Sequence, residues 1–293
     1  MDNSPQHSFH IPVMGLAYTI DSPIKVARFG ISSVMSIIED NLIEKMRSYY
    51  YGKINEPYLP ISAHEEDYRA KRITDYLNLV NRIVCQQVET LRNSTFEAGS
   101  EIVKYFEMLP DGNKVKQQFQ RMNELQDQGE KDQLQKYLKS QIQPGSIDVN
   151  IMTKVDKVNT DAFGKPIEDG SDALTALRGY VNSDLVNSSV VLSAGMNPRL
   201  FNYMEKLNQL AAKGWGDFEK KIVIKVSDYR SALIQGKYLA KKGLWVSEFR
   251  IESGLNCGGH AFATDGLLLG PILDEFKNKR AELRTELFEI YNR

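Results

Sequence analysis

The sequence predicts an α/β fold built around parallel β-strands. Short, continuous apolar runs alternate with segments of helical periodicity, first over residues 11–38 and again over residues 146–293. Continuous apolar runs are typical of parallel strands buried on both faces, and the connection between two such strands is usually a helix. Six strands are predicted. That number fits a doubly wound sheet or most of an eight-stranded (β/α) barrel, and the periodicity leaves both open.

The first 38 residues predict a strand, a short helix and a second strand. The first strand is "IPVMGLAY" (11–18), a short apolar run containing Pro and Gly. The helix is "SPIKVARFG" (22–30), which begins with Ser followed by Pro and ends at a glycine. The second strand is "ISSVMSII" (31–38). This strand–helix–strand rhythm indicates an α/β architecture.

Residues 39–145 predict a helical insertion after the second strand. The stretch "RITDYLNLVNRIVCQQVETLR" places Ile73, Leu77, Val80 and Val84 on one helix face. The stretch "KVKQQFQRMNELQDQGEKDQLQKYLKSQIQ" is rich in Gln, Lys and Glu and has sparse apolar residues, as an exposed helix does, and Pro-Gly follows it. The sequence therefore predicts three regions, which are the first barrel strands (1–38), the helical insertion (39–145) and the remaining strands with a C-terminal helix (146–293).

Strands and helices alternate again in the third region. The predicted strands are "SIDVNIMTK" (146–154), "SSVVLSAG" (188–195), "KIVIKVS" (221–227) and "LWVSEFRIES" (244–253). The predicted helices are "PRLFNYMEKLNQLAAKG" (198–214), "DYRSALIQGKYLAKKG" (228–243) and the final segment from residue 268 onward. Each of the first two helices ends at a glycine, and the second begins with an Asp suited to capping.

Composition excludes several classes of protein. The 37 Lys and Arg residues are balanced by 38 Asp and Glu residues, so there is no basic excess to neutralise nucleic-acid phosphates. The two cysteines, Cys85 and Cys257, are far apart, which indicates a reducing compartment. The N-terminus "MDNSPQHSFH" has no signal-peptide pattern, and no apolar run approaches the roughly 20 residues of a membrane span. We therefore expect a cytoplasmic protein that binds neither nucleic acid nor membrane.

The ends of the predicted strands carry residues suited to a ligand site. In both α/β architectures ligands bind at the carboxyl ends of parallel strands. Small residues allow a ligand to approach the backbone closely, and amide and ammonium groups can hydrogen-bond to it. The candidate residues are Gly15, Leu16, Ala17, Asn150, Ser193, Gly195, Lys225, Glu252, Gly258, Gly259 and His260.

Each of these residues also has an ordinary structural interpretation. Asn150 can brace a loop, Lys225 can hold its amine in solvent, and the paired glycines can form a turn before a loop histidine, His260. No second histidine, paired cysteine or carboxylate cluster accompanies His260 in the sequence, so we expect no metal site. The hypothesis of a ligand site depends on several strand ends carrying such residues together.

The order of these motifs resembles the nitronate monooxygenases and the related FMN-dependent enoyl-acyl-carrier-protein reductases. The segment 11–37 is similar to the opening of that family, and "DVNIM" (148–152) is similar to its "GVNIM" pattern. "VVLSAGMNP" (190–198) resembles its "VVTTGAGNP" type of sequence. The segment 222–260 resembles its fifth strand, helix and sixth strand, which end in "EAGGH", with the family's proposed catalytic histidine matching His260.

The resemblance implies a TIM barrel of the (β/α)8 type with FMN bound at the strand ends. The isoalloxazine ring would lie over residues 15–17, near Asn150 and Lys225, and His260 would act as the acid or base on a small-molecule substrate. The resemblance leaves open the substrate, the oligomeric state and whether NAD(P)H reduces the flavin.

The sequence departs from the family pattern in three places. The family's "PMAG"-like end of strand one is "GLAY" here, and "EAGGH" has become "SGLNCGGH". The seventh and eighth strands, with the family's phosphate-binding glycines, have no counterpart. We therefore expect the barrel to be incomplete and the chain to be the N-terminal part of a longer protein. The alternative is a flavin phosphate site that is built differently.

Two other functions compete with a flavin oxidoreductase. One is a barrel module that binds a ligand or a partner without catalysis, which includes a fragment of a larger flavoenzyme that is inactive alone. The other is a different TIM-barrel enzyme, for example one acting on sugar phosphates. The latter lacks paired carboxylates at the predicted strand ends, where only Glu252 is well placed.

Overall fold

The structure is a computed structural model. It describes residues 6–15, 18–151, 156–160, 163–193, 195–214, 216–252 and 269–293. The chain divides into two compact units, the first made of Met1–Pro60 with Asp75–Asp148 and the second of Ile61–Thr74 with Val149–Arg293.

The first unit begins with a strand, a helix and a second strand, as predicted. Strand β1 is His10–Ile11, helix α1 is Ser22–Val26 with a 3-10 turn after it, and strand β2 is Ser32–Ser36. The two strands pair in parallel. Strand β1 is much shorter than the predicted run 11–18 because Pro12 follows it directly, and proline has no N–H to donate to a strand partner.

Five helices follow β2 and confirm that the segment after the second strand is helical. They are α2 (Asp40–Lys53), α3 (Tyr68–Asn93), α4 (Glu101–Glu107), α5 (Lys114–Glu124) and α6 (Gln128–Gln141). The predicted apolar face of α3 is buried at Ile73, Leu77, Val80 and Val84. The first residues of α3 belong to the second unit and the remainder to the first.

The chain returns from α6 to the sheet through hydrogen bonds within the first unit. The backbone N–H of Gly145 donates to the carbonyl oxygen of Ala27 at 2.8 Å, and the N–H of Ser33 donates to the carbonyl oxygen of Ser146 at 3.0 Å. The N–H of Ser146 donates to the side-chain oxygen of Ser32 at 3.1 Å. These bonds bring the start of the next strand alongside β2.

The remaining elements alternate between strand and helix. They are β3 (Ile147–Ile151), α7 (Asp172–Val181), β4 (Ser188–Leu192), α8 (Pro198–Met204), β5 (Ala212–Gly214), β6 (Asp217–Phe218), β7 (Lys220–Val226), α9 (Tyr229–Ala240), β8 (Val246–Ile251) and α10 (Leu269–Tyr291). Asp228 caps α9 by accepting a hydrogen bond from the N–H of Ser231, as the sequence predicted.

Six strands form the main sheet, which confirms the α/β class. In the first unit the order is β1, β2 and the first residues of β3, and in the second unit it is the rest of β3, then β4, β7 and β8. The pairs β3–β4, β4–β7 and β7–β8 are all parallel. A closed eight-stranded barrel is not seen within the described residues.

The predicted helix over residues 198–214 is wrong in its second half. Helix α8 ends at Met204, a 3-10 turn covers Asn208–Leu210, and β5 then pairs antiparallel with β6. The two strands are joined through Gly216, which has a φ of 71°. Gly214, which ended the predicted helix, is instead the last residue of β5 and pairs with Asp217.

Strands β3, β4 and β7 lie in the core of the second unit. Val149, Val190, Ile222 and Ile224 are each at most 1% exposed. Every residue of β3 and β4 is buried, in agreement with strands covered on both faces. Strand β8 is more open, because only Val246 of its six residues is buried.

No helix in the described ranges has the length and apolar character that crossing a membrane requires.

Candidate functional site

The carboxyl ends of β3, β4, β7 and β8 meet at one edge of the second unit. Their register aligns Ile151 with Leu192, Leu192 with Ile224, and Ile224 with Phe249. Because all four strands run in the same direction, the residues that end each strand lie at this same edge. This is the edge at which ligands bind in parallel α/β proteins.

Three polar side chains project from one face of the sheet near this edge, which they share with the buried residues Val191 and Val223. Asn150 is aligned with Val191, and Val191 with Val223. Lys225, two residues beyond Val223, is aligned with Arg250. Side chains alternate along a strand and aligned partners share a face, so Asn150, Lys225 and Arg250 project from the same face.

Asn150 lies one residue before the end of β3. Its side chain is nearly buried, with 6% of the residue exposed. A side-chain amide offers two donors and one acceptor, and burial strengthens the preference of such a group for a hydrogen-bonding partner. The position therefore suits recognition of a polar ligand atom.

Lys225 and Glu252 come together as an ion pair. The ammonium nitrogen of Lys225 lies 2.7 Å from a carboxylate oxygen of Glu252, and 22% and 27% of the two side chains are exposed. The backbone N–H of Glu252 donates to the carbonyl oxygen of Val226 at 2.8 Å, which continues the ladder past the end of β8. The amine is thus held by a carboxylate rather than by solvent alone.

Sequence reasoning missed a second ion pair on the same face. The Nε–H of Arg250 donates to a carboxylate oxygen of Glu248 at 2.6 Å. The signal was present in "SEFRIES", where Glu248, Arg250 and Glu252 alternate with apolar residues. Residues spaced two apart in a strand share a face, so this spacing predicts a row of three charged side chains.

The end of β4 provides small residues. Ser193 is half-buried, and Gly195 is exposed with a φ of 119°. That φ disfavours residues with a Cβ, and a Cβ on Gly195 would meet no atom within 4 Å. The glycine therefore serves the turn, and it leaves open space beside the strand end.

The other predicted site residues divide into two groups. Gly15 lies in the first unit with a φ of 105°, and its carbonyl oxygen accepts a hydrogen bond from the Thr19 hydroxyl. The predicted positions that lie outside the described residues are Leu16, Ala17, Gly258, Gly259 and His260.

Within the described residues, no group of three or more His, Cys, Asp or Glu side chains is arranged to hold a metal ion.

Searches with this chain found no matching family model, curated protein or solved structure.

The chemistry of the edge is that of a polar binding surface. It presents an amide from β3, a hydroxyl from β4, and two ion pairs from β7 and β8. The two cations and two carboxylates cancel in net charge. Such a surface can hydrogen-bond to a ligand that offers donors and acceptors in alternation.

Proposed function

We propose that this chain is an FMN-dependent oxidoreductase resembling the nitronate monooxygenases and flavin enoyl reductases, with the flavin at the carboxyl ends of β3, β4, β7 and β8. The observation that carries the proposal is the shared face of Asn150, Lys225 and Glu252. All three were expected from the sequence to contact the flavin, and two of them lie 2.7 Å apart. A cytoplasmic location fits this function.

The polar groups of the edge complement the pyrimidine ring of a flavin. That ring offers an acceptor, a donor and an acceptor along its edge, at two carbonyl oxygens and the N–H between them. The ammonium of Lys225 can donate, the carboxylate of Glu252 can accept, and the amide of Asn150 can do either. A fixed cation beside this ring also stabilises the negative charge that the ring acquires on reduction.

The order of the strands supports an incomplete barrel rather than a doubly wound sheet. A doubly wound sheet reverses its strand order at a switch point, and ligands bind where it reverses. Here the main-sheet strands follow their order in the chain without reversal. Continuous winding in one direction is the order of a (β/α) barrel.

In the proposed reaction, His260 moves a proton on a small-molecule substrate. The bound flavin would supply electron transfer, with NAD(P)H as a candidate reductant. An imidazole is suited to proton transfer because its unperturbed pKa of about 6.5 lies near neutral pH. His260 would remove a proton from a carbon acid whose electrons pass to the flavin and then to molecular oxygen. Alternatively, His260 would protonate an alkene that takes hydride from flavin reduced by NAD(P)H.

The first test is uptake of FMN by the purified chain. We expect bound flavin to show its visible absorbance and quenched fluorescence, and Lys225→Met to weaken binding by about tenfold, the loss of one charge-assisted hydrogen bond. Lys242→Met is the matched control, because Lys242 has a similar ion pair, 2.7 Å from Glu205, away from this edge. A chain that takes up no FMN, or a Lys225 variant that binds as well as the control, contradicts the proposal.

The second test separates catalysis from binding alone. With FMN bound, a neutral nitroalkane as the carbon-acid substrate and molecular oxygen as oxidant, we expect His260→Ala to keep its flavin and to lose about 10²-fold in turnover, which is typical for loss of an acid or base. Turnover is measured as substrate consumption per bound flavin. Flavin binding without turnover in either protein would instead indicate a non-catalytic ligand-binding module.

A further inference from the structure

Two positive charges lie directly opposite each other at the edge described above. Lys225 of β7 and Arg250 of β8 are aligned partners on the same face. Neighbouring strands are about 4.8 Å apart, so the two side chains start from adjacent backbone positions. Like charges in directly opposite positions destabilise a sheet. Negative charge between or beside the two cations offsets this repulsion.

Two glutamates supply this negative charge, and Glu248 is much more exposed than its partner Arg250. Arg250 and Lys225 have 12% and 22% of their side chains exposed, whereas their partners Glu248 and Glu252 have 48% and 27% exposed. Arg250 is therefore the more deeply placed of the two cations, and Lys225 lies at about the same depth as Glu252. Both carboxylates are partly exposed to water and can be rehydrated when they leave.

A ligand anion can replace the two glutamates as the partner of Lys225 and Arg250. Ion pairs near the surface contribute little to stability, because hydration and side-chain entropy offset the attraction. An anion with two or three oxygens can instead bridge both cations at once. The guanidinium of Arg250 offers a planar fork of donors and the ammonium of Lys225 a compact charge, which together suit a carboxylate or phosphate.

We propose that Lys225 and Arg250 form a binding site for the carboxylate or phosphate group of a ligand, with Glu248 and Glu252 as the partners that this group displaces. The ligand is an anionic substrate, or FMN bound through its phosphate. In the second case the phosphate, and not the pyrimidine ring, lies beside Lys225. The anion site itself stands without the proposed flavin function, and only the assignment of its anion to a substrate or to FMN rests on that function.

The experiment measures binding of inorganic phosphate to the full chain. The midpoint of thermal unfolding is followed against phosphate concentration at constant ionic strength, set with potassium chloride. We expect a saturable rise for the original protein and a half-saturating concentration about tenfold higher for Arg250→Gln and for Lys225→Gln. Lys242→Gln changes the net charge equally and is expected to bind phosphate as the original protein does.

Removal of a competing carboxylate is expected to strengthen phosphate binding, whereas removal of a cation weakens it. We expect Glu248→Gln to lower the half-saturating phosphate concentration by a few-fold, while the control Glu205→Gln leaves it unchanged. The inference is overturned if the Arg250 and Lys225 variants differ no more than Lys242→Gln. It is also overturned if phosphate gives no saturable rise. In those cases the charges only protect an open strand edge.

Two flavins distinguish the sources of the anion. If the site holds the phosphate of FMN, inorganic phosphate competes with FMN but leaves riboflavin binding unchanged. If it holds a substrate group, neither flavin is displaced by phosphate. If the chain binds phosphate but no flavin, the anion site is supported and the proposed flavin function is contradicted. Failure of the anion site and failure of the flavin function therefore give different results.

Discussion

Lys220 is a cationic residue in a buried environment. It begins β7 and is fully buried. Its ammonium donates to the carbonyl oxygens of Ser183 and Leu185 at 2.8 and 3.0 Å, and it lies 4.8 Å from the centre of the Tyr180 ring. These bonds hold the segment that follows α7. Lys220 therefore has a structural role at the edge opposite the candidate site.

The pKa of Lys220 predicts a rise in stability at alkaline pH. Burial lowers this pKa from 10.5 to about 8, against the negative charges of Glu219 and Asp184, which raise it. Between these values the unfolded chain carries a proton that the folded chain has released, so the free energy of unfolding increases with pH. The increase is at most about 3 kcal/mol, because each pKa unit corresponds to 1.36 kcal/mol.

Urea unfolding at pH 7.5, 8.5 and 9.5 measures this increase. We expect it in the original protein and in Lys242→Met, and we expect Lys220→Met to lack it because no amine remains to titrate. The interpretation fails if the Lys220 variant keeps the same dependence on pH as the other two proteins.

At the scale of elements, α7 is packed closely against the start of α3 within the second unit. A Cβ on Gly179 would lie 2.7 Å from the Cβ of Ile73 and 2.9 Å from the carbonyl oxygen of Ala70. The hydroxyl of Thr74 donates to the carbonyl oxygen of Gly179 at 3.0 Å. The absence of a side chain at residue 179 allows the two helix backbones to come this close.

This packing predicts opposite effects for two Gly→Ala substitutions. Gly179→Ala is expected to destabilise the protein by about 1–3 kcal/mol, since overpacking outweighs the gain in helix propensity of about 1 kcal/mol. Gly52→Ala in α2 meets nothing within 4 Å, so we expect it to stabilise by about 0.5–1 kcal/mol. Urea midpoints of the two variants give the comparison, and equal stabilisation of both would contradict the close packing of α7 on α3.

At the scale of the whole molecule, the order of the elements was predicted well. The six predicted main-sheet strands all occur, and the helices between β2 and β3 lie where the sequence placed them. Helix α7 (Asp172–Val181) was not predicted, and the other errors concern lengths and short elements. Strand β1 stops before Pro12, and the hairpin of β5 and β6 replaces the second half of a predicted helix. Two- and three-residue strands have too few residues for periodicity to detect.

The candidate site was predicted only in part. Asn150, Lys225 and Glu252 were expected at strand ends because apolar runs stop beside them. The pairing of Lys225 with Glu252 and the contribution of Arg250 were not expected. The assignment of His260 stays a prediction, as do the flavin and the substrate.

The sequence by itself determined the kinds of elements and their order, because apolar periodicity, proline, glycine and capping residues act over a few neighbouring positions. Only the tertiary structure decided which charges meet. The partners of Lys225 depend on the register of β7 against β8, and that register shifts between Ile222 and Val223. A slip of one residue would turn every side chain of β8 to the other face, so no local pattern could have settled this pairing.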